Sequence, residues 1–99
     1  MLEVAMRFEW DKTKDIANQN KHRVSFAEAQ TAFFDDDAIV FHDPDHSLDE
    51  EHFILLGLAV SLRVLVVVHC FQHDDMTIRI ISARKATKKE RAAYPGGDR

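Results

Sequence analysis

The sequence predicts an α+β domain in which consecutive strands form an antiparallel β-meander of about four strands. Apolar, β-branched runs of strand length follow one another in the second half of the chain, at residues 38–41, 53–58, 63–71 and 77–83. The connections between these runs are short, which favours antiparallel pairing over parallel units. Helix-start patterns precede and follow the runs, so helices are expected on one face of the sheet.

Two helices are expected in the N-terminal part of the chain. Asp11 is a suitable N-cap for a helix from residue 12 to about 20, because its carboxylate can accept a backbone N–H of the first turn. Ser25 and Glu28 have the spacing of a capping box and predict the start of a second helix. Apolar residues of the second helix recur at helical spacing and predict its buried face: Phe26, Ala29, Phe33 and Phe34.

The last predicted strand runs into a C-terminal helix. Thr87 and Glu90 also have capping-box spacing, so this helix begins near Thr87 and the strand ends near Ala83. Residues 1–60 carry 5 Lys and Arg against 13 Asp and Glu, whereas residues 61–99 carry 8 against 4. The chain is acidic overall, with a net charge of -4, yet its C-terminal part is basic. A local basic surface of this kind can bind phosphate, although most such runs are solvated helix faces.

The chain is expected to be one domain, residues 1–99, with frayed ends at 1–5 and 95–99. Phe8 and Trp10 alternate with charged residues, which predicts one short, half-buried strand before the helices. No apolar run has the length of a membrane span, and residues 1–10 lack the layout of a signal peptide. The single cysteine, Cys70, excludes an internal disulfide. These features predict a cytoplasmic protein.

The run from Arg79 to Thr87, followed by Glu90, Arg91 and Tyr94, resembles the pattern of the BrnT family. Three earlier stretches resemble the same family, at residues 8–11, 21–29 and 43–47. The resemblance implies a RelE-like fold and a small bacterial ribonuclease toxin of a type II toxin–antitoxin system that inhibits translation. It also implies an RNA substrate and a BrnA-like antitoxin partner, with DNA contacted only through that antitoxin.

Metal-independent RNA cleavage requires a base for the 2′-OH, an acid for the leaving 5′-oxygen and cations for the charge on phosphorus. Arginine suits the phosphate and histidine suits the proton transfers. The catalytic candidates are Arg79, Arg84, His22 and His46, and the substrate-binding candidates are Lys85, Arg63, His52 and His69. No cofactor is expected.

Structural alternatives remain open for these candidates. Arg79 could be an open-face arginine with a solvated tip, His22 a helix cap and His46 a turn residue. Arg63 and His69 alternate with apolar residues on one face of the central strand. Whether that face also carries Arg79 depends on the hairpin register, which the sequence does not determine. A metal site among the His, Asp and Glu residues of 42–52 is a weaker alternative, because their spacing matches no compact ligand motif.

The sequence departs from the family pattern at two positions that matter for function. His52 stands where the pattern usually has arginine, which weakens or removes one expected phosphate contact. Leu62 stands in a turn where the pattern usually has glycine. These departures favour a second hypothesis, a catalytically weak or silent module that binds the antitoxin and acts as its co-repressor.

Overall fold

The computed structural model describes residues 6–44, 50–72 and 76–96, and within them five strands form one sheet against which three α-helices pack. Strands β1 to β5 span Arg7–Glu9, Ile39–Asp43, His52–Leu58, Val64–Phe71 and Thr77–Lys85. Helices α1 to α3 span Lys12–His22, Phe26–Thr31 and Lys88–Ala93, and a 3₁₀ turn, Ala32–Phe34, extends α2. No helix in these ranges is long and apolar enough to cross a membrane.

The strand order is β1-β5-β4-β3-β2. Strands β2 to β5 form the expected antiparallel meander, but β1 pairs in parallel with β5. The prediction of about four strands was therefore one strand short, and the sheet is mixed rather than antiparallel. The two predicted N-terminal helices follow the predicted short strand, β1, but helices cover both faces of the sheet rather than the one face expected. The alternation around Phe8 predicted the strand β1. A strand of only three residues, however, gives no indication whether it pairs in parallel or antiparallel with its neighbour.

The sheet has two covered faces of different extent. On the α2 face, the main core joins Phe26 and Ala29 of α2 to the sheet residues Leu55, Leu65, Val67, Ile80 and Ala83. On the α3 face, a smaller cluster contains Leu56, Val66, Ala86 and Tyr94. Because side chains alternate along a strand, the central strands β3 and β4 contribute to both clusters. Part of the α3 face is left uncovered at the end of the sheet that contains the start of β5. The candidate site lies in this uncovered part.

Asn18 of α1 closes the edge of β5 beyond the end of β1. Its Oδ1 accepts the Ala83 N–H at 3.1 Å, and its Nδ2 donates to the carbonyls of Ala83 and Val24, each at 2.8 Å. The side chain is buried, with 7% of the residue exposed. The Asn18 amide therefore supplies the hydrogen bonds that a neighbouring strand would otherwise give to Ala83. It also fixes the turn between α1 and α2. Both roles matter because buried backbone groups need hydrogen-bond partners.

The predicted helix starts are confirmed, with one difference. Asp11 and Ser25 accept the N–H groups of Lys14 and Glu28, and Thr87 with Glu90 forms a reciprocal capping box. At Ser25 the box is incomplete, because the Glu28 carboxylate binds Arg63 instead of turning back to its own helix.

Two contacts attach α3 to the rest of the domain. Glu90 accepts two parallel hydrogen bonds from Arg84 of β5, at 2.8 and 2.9 Å. The Tyr94 hydroxyl donates to Asp35, and burial together with this bond raises the tyrosine pKa to about 12. The Asp35 carboxylate also accepts the N–H of Asp37 and, at 2.8 Å, the N–H of Leu58. The acidic run after α2 thus connects α2, β3 and α3.

We expect Asn18→Ala to lower the free energy of unfolding by about 2–4 kcal/mol, because it leaves the Ala83 N–H and two buried carbonyls without partners. Urea denaturation followed by circular dichroism measures this change. Asn20→Ala, at an exposed position of the same helix, is the control and should cost less than about 1 kcal/mol. Equal losses for the two variants would contradict the role of Asn18.

The Arg84 guanidinium, through its hydrogen bonds, lowers the pKa of Glu90 to about 2. A lowered carboxyl pKa stabilises the fold above the unfolded-state pKa, and that stabilisation disappears as the pH falls from about 4.5 towards 2. Since the pair is partly exposed, we expect Glu90→Gln to cost only about 1 kcal/mol at pH 7. The cost should vanish near pH 2 in urea titrations, and it should be smaller at every pH in an Arg84→Gln background. A cost independent of pH would contradict this account.

Candidate active site

A β-bulge places Arg79 and Arg84 on the same face of the sheet. Val66 and Val68 of β4 lie opposite Arg84 and Ser82, but His69 lies opposite Ile80, so Ile81 is an extra residue in β5. In a regular strand, residues five apart point to opposite faces. The extra residue cancels this inversion, because Arg79, Ser82 and Arg84 now oppose alternate residues of β4. All three lie on the α3 face.

Arg79 is held at the open part of this face. Its side chain is 49% exposed, and its Nε lies 3.5 Å from Oε2 of Glu9, the residue paired with it on β1. Gln72 donates to the same oxygen at 3.3 Å. An exposed ion pair of this length is weak, and a guanidinium has five N–H donors, so Arg79 can still bind a phosphate.

His52 and Glu50 lie on the same face, across Cys70 of β4 from Arg79. The His52 Nε2 is 3.4 Å from Glu50 Oε1, and 18% of the histidine side chain is exposed. Cys70, directly opposite Arg79, has its pKa raised to about 11 by burial and by the neighbouring Glu50 carboxylate. Cys70 thus separates the Arg79 guanidinium from the Glu50 carboxylate and the His52 imidazole by one strand.

A cavity of about 220 Å³ opens at this point of the α3 face, lined by Asp43, His52, Val68, Ile81 and Ser82. Its lining combines a carboxylate, an imidazole and a hydroxyl with two apolar side chains. The imidazole and the carboxylate can accept or donate protons, and the nearby guanidinium can stabilise negative charge. The arrangement is suited to acid–base chemistry on a phosphate ester.

Arg84 and Lys85 differ in position although they are adjacent in the sequence. Arg84 is on the α3 face, where both of its terminal nitrogens bind Glu90 and 40% of its side chain is exposed. Lys85 is exposed, but it lies opposite Leu65, a residue of the α2-face core. The bulge thus keeps Arg84 with Arg79 and puts Lys85 on the other face.

His69 lies in the core, not in a substrate site. Only 1% of it is exposed, and its ring packs against Phe33, Phe53 and Phe71 on the α2 face. Its Nδ1 lies 3.1 Å from the Val67 carbonyl, whereas Nε2 has no hydrogen-bond partner among the described residues. Burial lowers its pKa, so the ring is held neutral. The substrate-binding role predicted for His69 is corrected, because the register puts it on the face opposite Arg79.

Arg63 is likewise placed away from the α3 face. Its guanidinium forms an ion pair with Glu28 of α2 and donates to the Arg23 carbonyl at 2.9 Å. The pair lowers the pKa of Glu28 and raises that of Arg63. In this position Arg63 fastens the β3–β4 turn to α2, and its substrate-binding role stays a prediction.

The remaining histidine candidates are not brought to the site by the described contacts. His22 lies in the last turn of α1, half-buried, at the edge of the sheet, and His46 lies outside the described residues. His42 is near Glu51, at 3.8 Å, and packs edge-on against Phe53. Across the described ranges no three His, Cys, Asp or Glu side chains converge as metal ligands.

The carboxylates Glu9 and Glu50 lie at the candidate site although the sequence did not indicate them. Glu9 was recognisable as the polar residue between Phe8 and Trp10, but only the pairing of β1 with β5 brings it to Arg79. Glu50 stood in a run of acidic and histidine residues with nothing to separate it from its neighbours. Leu62, at the turn where the family pattern usually has glycine, adopts the left-handed backbone conformation, with φ 70°.

Comparisons with known proteins identify the family and the fold. A family model described as "Ribonuclease toxin, BrnT, of type II toxin-antitoxin system" matches residues 10–90. The crystal structure of the Brucella abortus ribonuclease toxin BrnT is similar in fold, with a TM-score of 0.65 and 24% identity, over 84% of this chain and 99% of that chain. No curated protein sequence matches the chain. Since the family model covers most of its length, this protein belongs to the BrnT family of ribonuclease toxins of type II toxin–antitoxin systems.

Proposed function

We propose that this toxin cleaves RNA internally by metal-independent acid–base chemistry, and that translation stops because messenger RNA is lost. The observation that carries the proposal is the grouping of Arg79, Glu50 and His52 on one open face of the sheet. Such a grouping supplies a cation, a base and an acid within one site. The finer fold assignment, RelE-like, belongs to the same proposal and rests on the resemblance.

In the proposed reaction, the Glu50 carboxylate takes the proton of the ribose 2′-OH, whose oxygen attacks the adjacent phosphorus. The bond from phosphorus to the 5′-oxygen breaks, and protonated His52 gives its proton to that oxygen. The products are a 2′,3′-cyclic phosphate and a 5′-hydroxyl. Arg79 binds the phosphate oxygens and stabilises their increased charge in the transition state.

The other predicted residues take lesser roles in this proposal. Arg84 adds positive charge to the same face, but its bidentate pair with Glu90 makes it first a positioning residue for α3. His22 and His46 stay predictions as proton-transfer residues, and Lys85 stays a prediction as a phosphate contact from the edge of the sheet. A member of a type II system has an antitoxin partner. We propose a BrnA-like antitoxin that covers Arg79 and contacts DNA on behalf of the complex, in the cytoplasm.

A second candidate function has one observation in its favour. His52 occupies the position where the family pattern usually has arginine, so the site has one guanidinium fewer. A protein with a weakened site would serve mainly as an antitoxin-binding co-repressor. Growth after induced expression separates the two functions, because only an active ribonuclease arrests the cells.

We expect Arg79→Ala to reduce the RNA cleavage rate by about 10²–10³, the usual cost of losing one group that stabilises transition-state charge. Arg79→Lys should recover only part of the rate, since lysine lacks the planar fork. Cleavage of a 5′-labelled RNA, resolved on a gel, measures both. Lys14→Ala removes one exposed cation from α1 and should cleave as the wild type does. Full activity in a folded Arg79→Ala protein would exclude the proposed phosphate site.

We expect His52→Gln to reduce cleavage by about 10²–10⁴, because the leaving oxygen loses its acid. His42→Gln is the matched control, since that histidine packs against Phe53 on the α2 face. Mass spectrometry of the products should show a 2′,3′-cyclic phosphate, and EDTA should not change the rate. A rate abolished by EDTA and restored by a divalent cation would contradict the metal-independent mechanism.

A further inference from the structure

A small groove borders α3 on the same face as the candidate active site. Its floor consists of aliphatic side chains of β3 and β4, namely Ile54, Leu56 and Val66. Phe41 of β2 forms one wall, and the Arg84–Glu90 pair forms the opposite rim. The cavity measures about 140 Å³. This is well below the roughly 300–1,000 Å³ of sites for drug-sized ligands, so it fits a single planar ring rather than a helix or a strand.

Phe41 is exposed in a position where packing does not require an aromatic ring. It lies opposite Ile54 on the α3 face, at the outer strand of the sheet, and 46% of it is exposed. An exposed ring above an apolar floor offers a stacking surface, and each base stacked on such a ring contributes about 1–3 kcal/mol in single-strand binding.

The groove lies next to the candidate active site along the same strands, because the residues that line the two cavities lie two positions apart on β2 to β5. Residues 66, 68 and 70 of β4 lie opposite Arg84, Ser82 and Arg79 in turn. Two residues of a strand span about 7 Å, so the groove begins about 14 Å from Arg79, with the cavity at His52 between them. A strand of RNA whose phosphate binds Arg79 would therefore pass the groove with a neighbouring nucleotide.

We propose that this groove binds one unpaired nucleobase of the RNA next to the cleaved bond, stacked on Phe41 with its polar edge at the Arg84–Glu90 pair. The guanidinium offers donors and the carboxylate offers acceptors, the two kinds of group that the edge of a base requires. The inference rests on the proposed ribonuclease function and gives the enzyme a residue that selects its cleavage sites. A groove of this size on the catalytic face favours a nucleobase over a segment of the antitoxin.

The test measures binding of four 2′-O-methyl RNA homo-oligonucleotides, which cannot be cleaved, by fluorescence anisotropy. We expect Phe41→Ala to weaken binding of the best oligonucleotide about tenfold. Phe41→Tyr should bind within about twofold of the wild type, because it keeps the ring. Val40→Ala is the matched control, since Val40 is 51% exposed on the same strand but points to the α2 face. One abasic position should weaken the wild type as much as Phe41→Ala does, and should weaken that variant no further.

The inference would be overturned by equal binding of wild type and Phe41→Ala, by no binding of any oligonucleotide to the wild type, or by a loss confined to antitoxin binding. Equal losses in Phe41→Ala and Phe41→Tyr would also overturn it, because the ring would then not be the binding element. Cleavage of ordinary RNA is measured separately. A wild type that binds through Phe41 but does not cleave overturns the ribonuclease proposal and leaves the base site standing. A wild type that cleaves with the same site preference as Phe41→Ala overturns the base site alone.

Discussion

The extra residue in β5 is the constraint on which the arrangement of the site depends. Without Ile81, the alternation of a strand would place Arg79 and Arg84 on opposite faces, and one of them would point towards the helices α1 and α2. With it, the α3 face receives Arg79, Ser82 and Arg84 in succession, while Ile80 and Ala83 remain in the α2-face core. One unpaired residue therefore separates the residues of the α2-face core from the arginines of the α3 face.

The acidic character of the chain is compatible with a phosphate site because its carboxylates are distributed unevenly around the arginines. Glu90 binds Arg84 with two short bonds, which fixes α3, whereas Glu9 approaches Arg79 only at 3.5 Å and in an exposed setting. The strong Arg84–Glu90 pair stabilises the fold, whereas the weak Arg79–Glu9 pair only orients the Arg79 guanidinium. A phosphate dianion or diester can displace the weak partner at low cost, since exposed pairs contribute little to stability.

Local chemistry made much of the fold predictable, and long-range pairing accounts for the rest. The three helix starts were predictable from their N-cap residues, Asp11, Ser25 and Thr87, because capping depends on residues within one turn. The faces of β4 and β5 did not follow from the sequence, since a bulge leaves alternation in each strand nearly intact. For that reason the sequence made His69 a candidate for substrate binding, although it is a core residue. The same lack of long-range information left Glu50 unpredicted at the site. Arg63 looked available until Glu28 of a distant helix proved to be its partner.

The carboxylate of Asp35 has a consequence for the synthesis of this toxin. It binds Leu58 from the middle of the chain and Tyr94 from near its C-terminus, so the layer formed by α3 cannot dock until residue 94 has been made. A polypeptide interrupted before Glu90 lacks the Tyr94 side chain that packs with Leu56 and Val66, and it lacks the Glu90 rim of the Phe41 groove. The α3 face of the sheet is therefore covered only after all five strands have been synthesised.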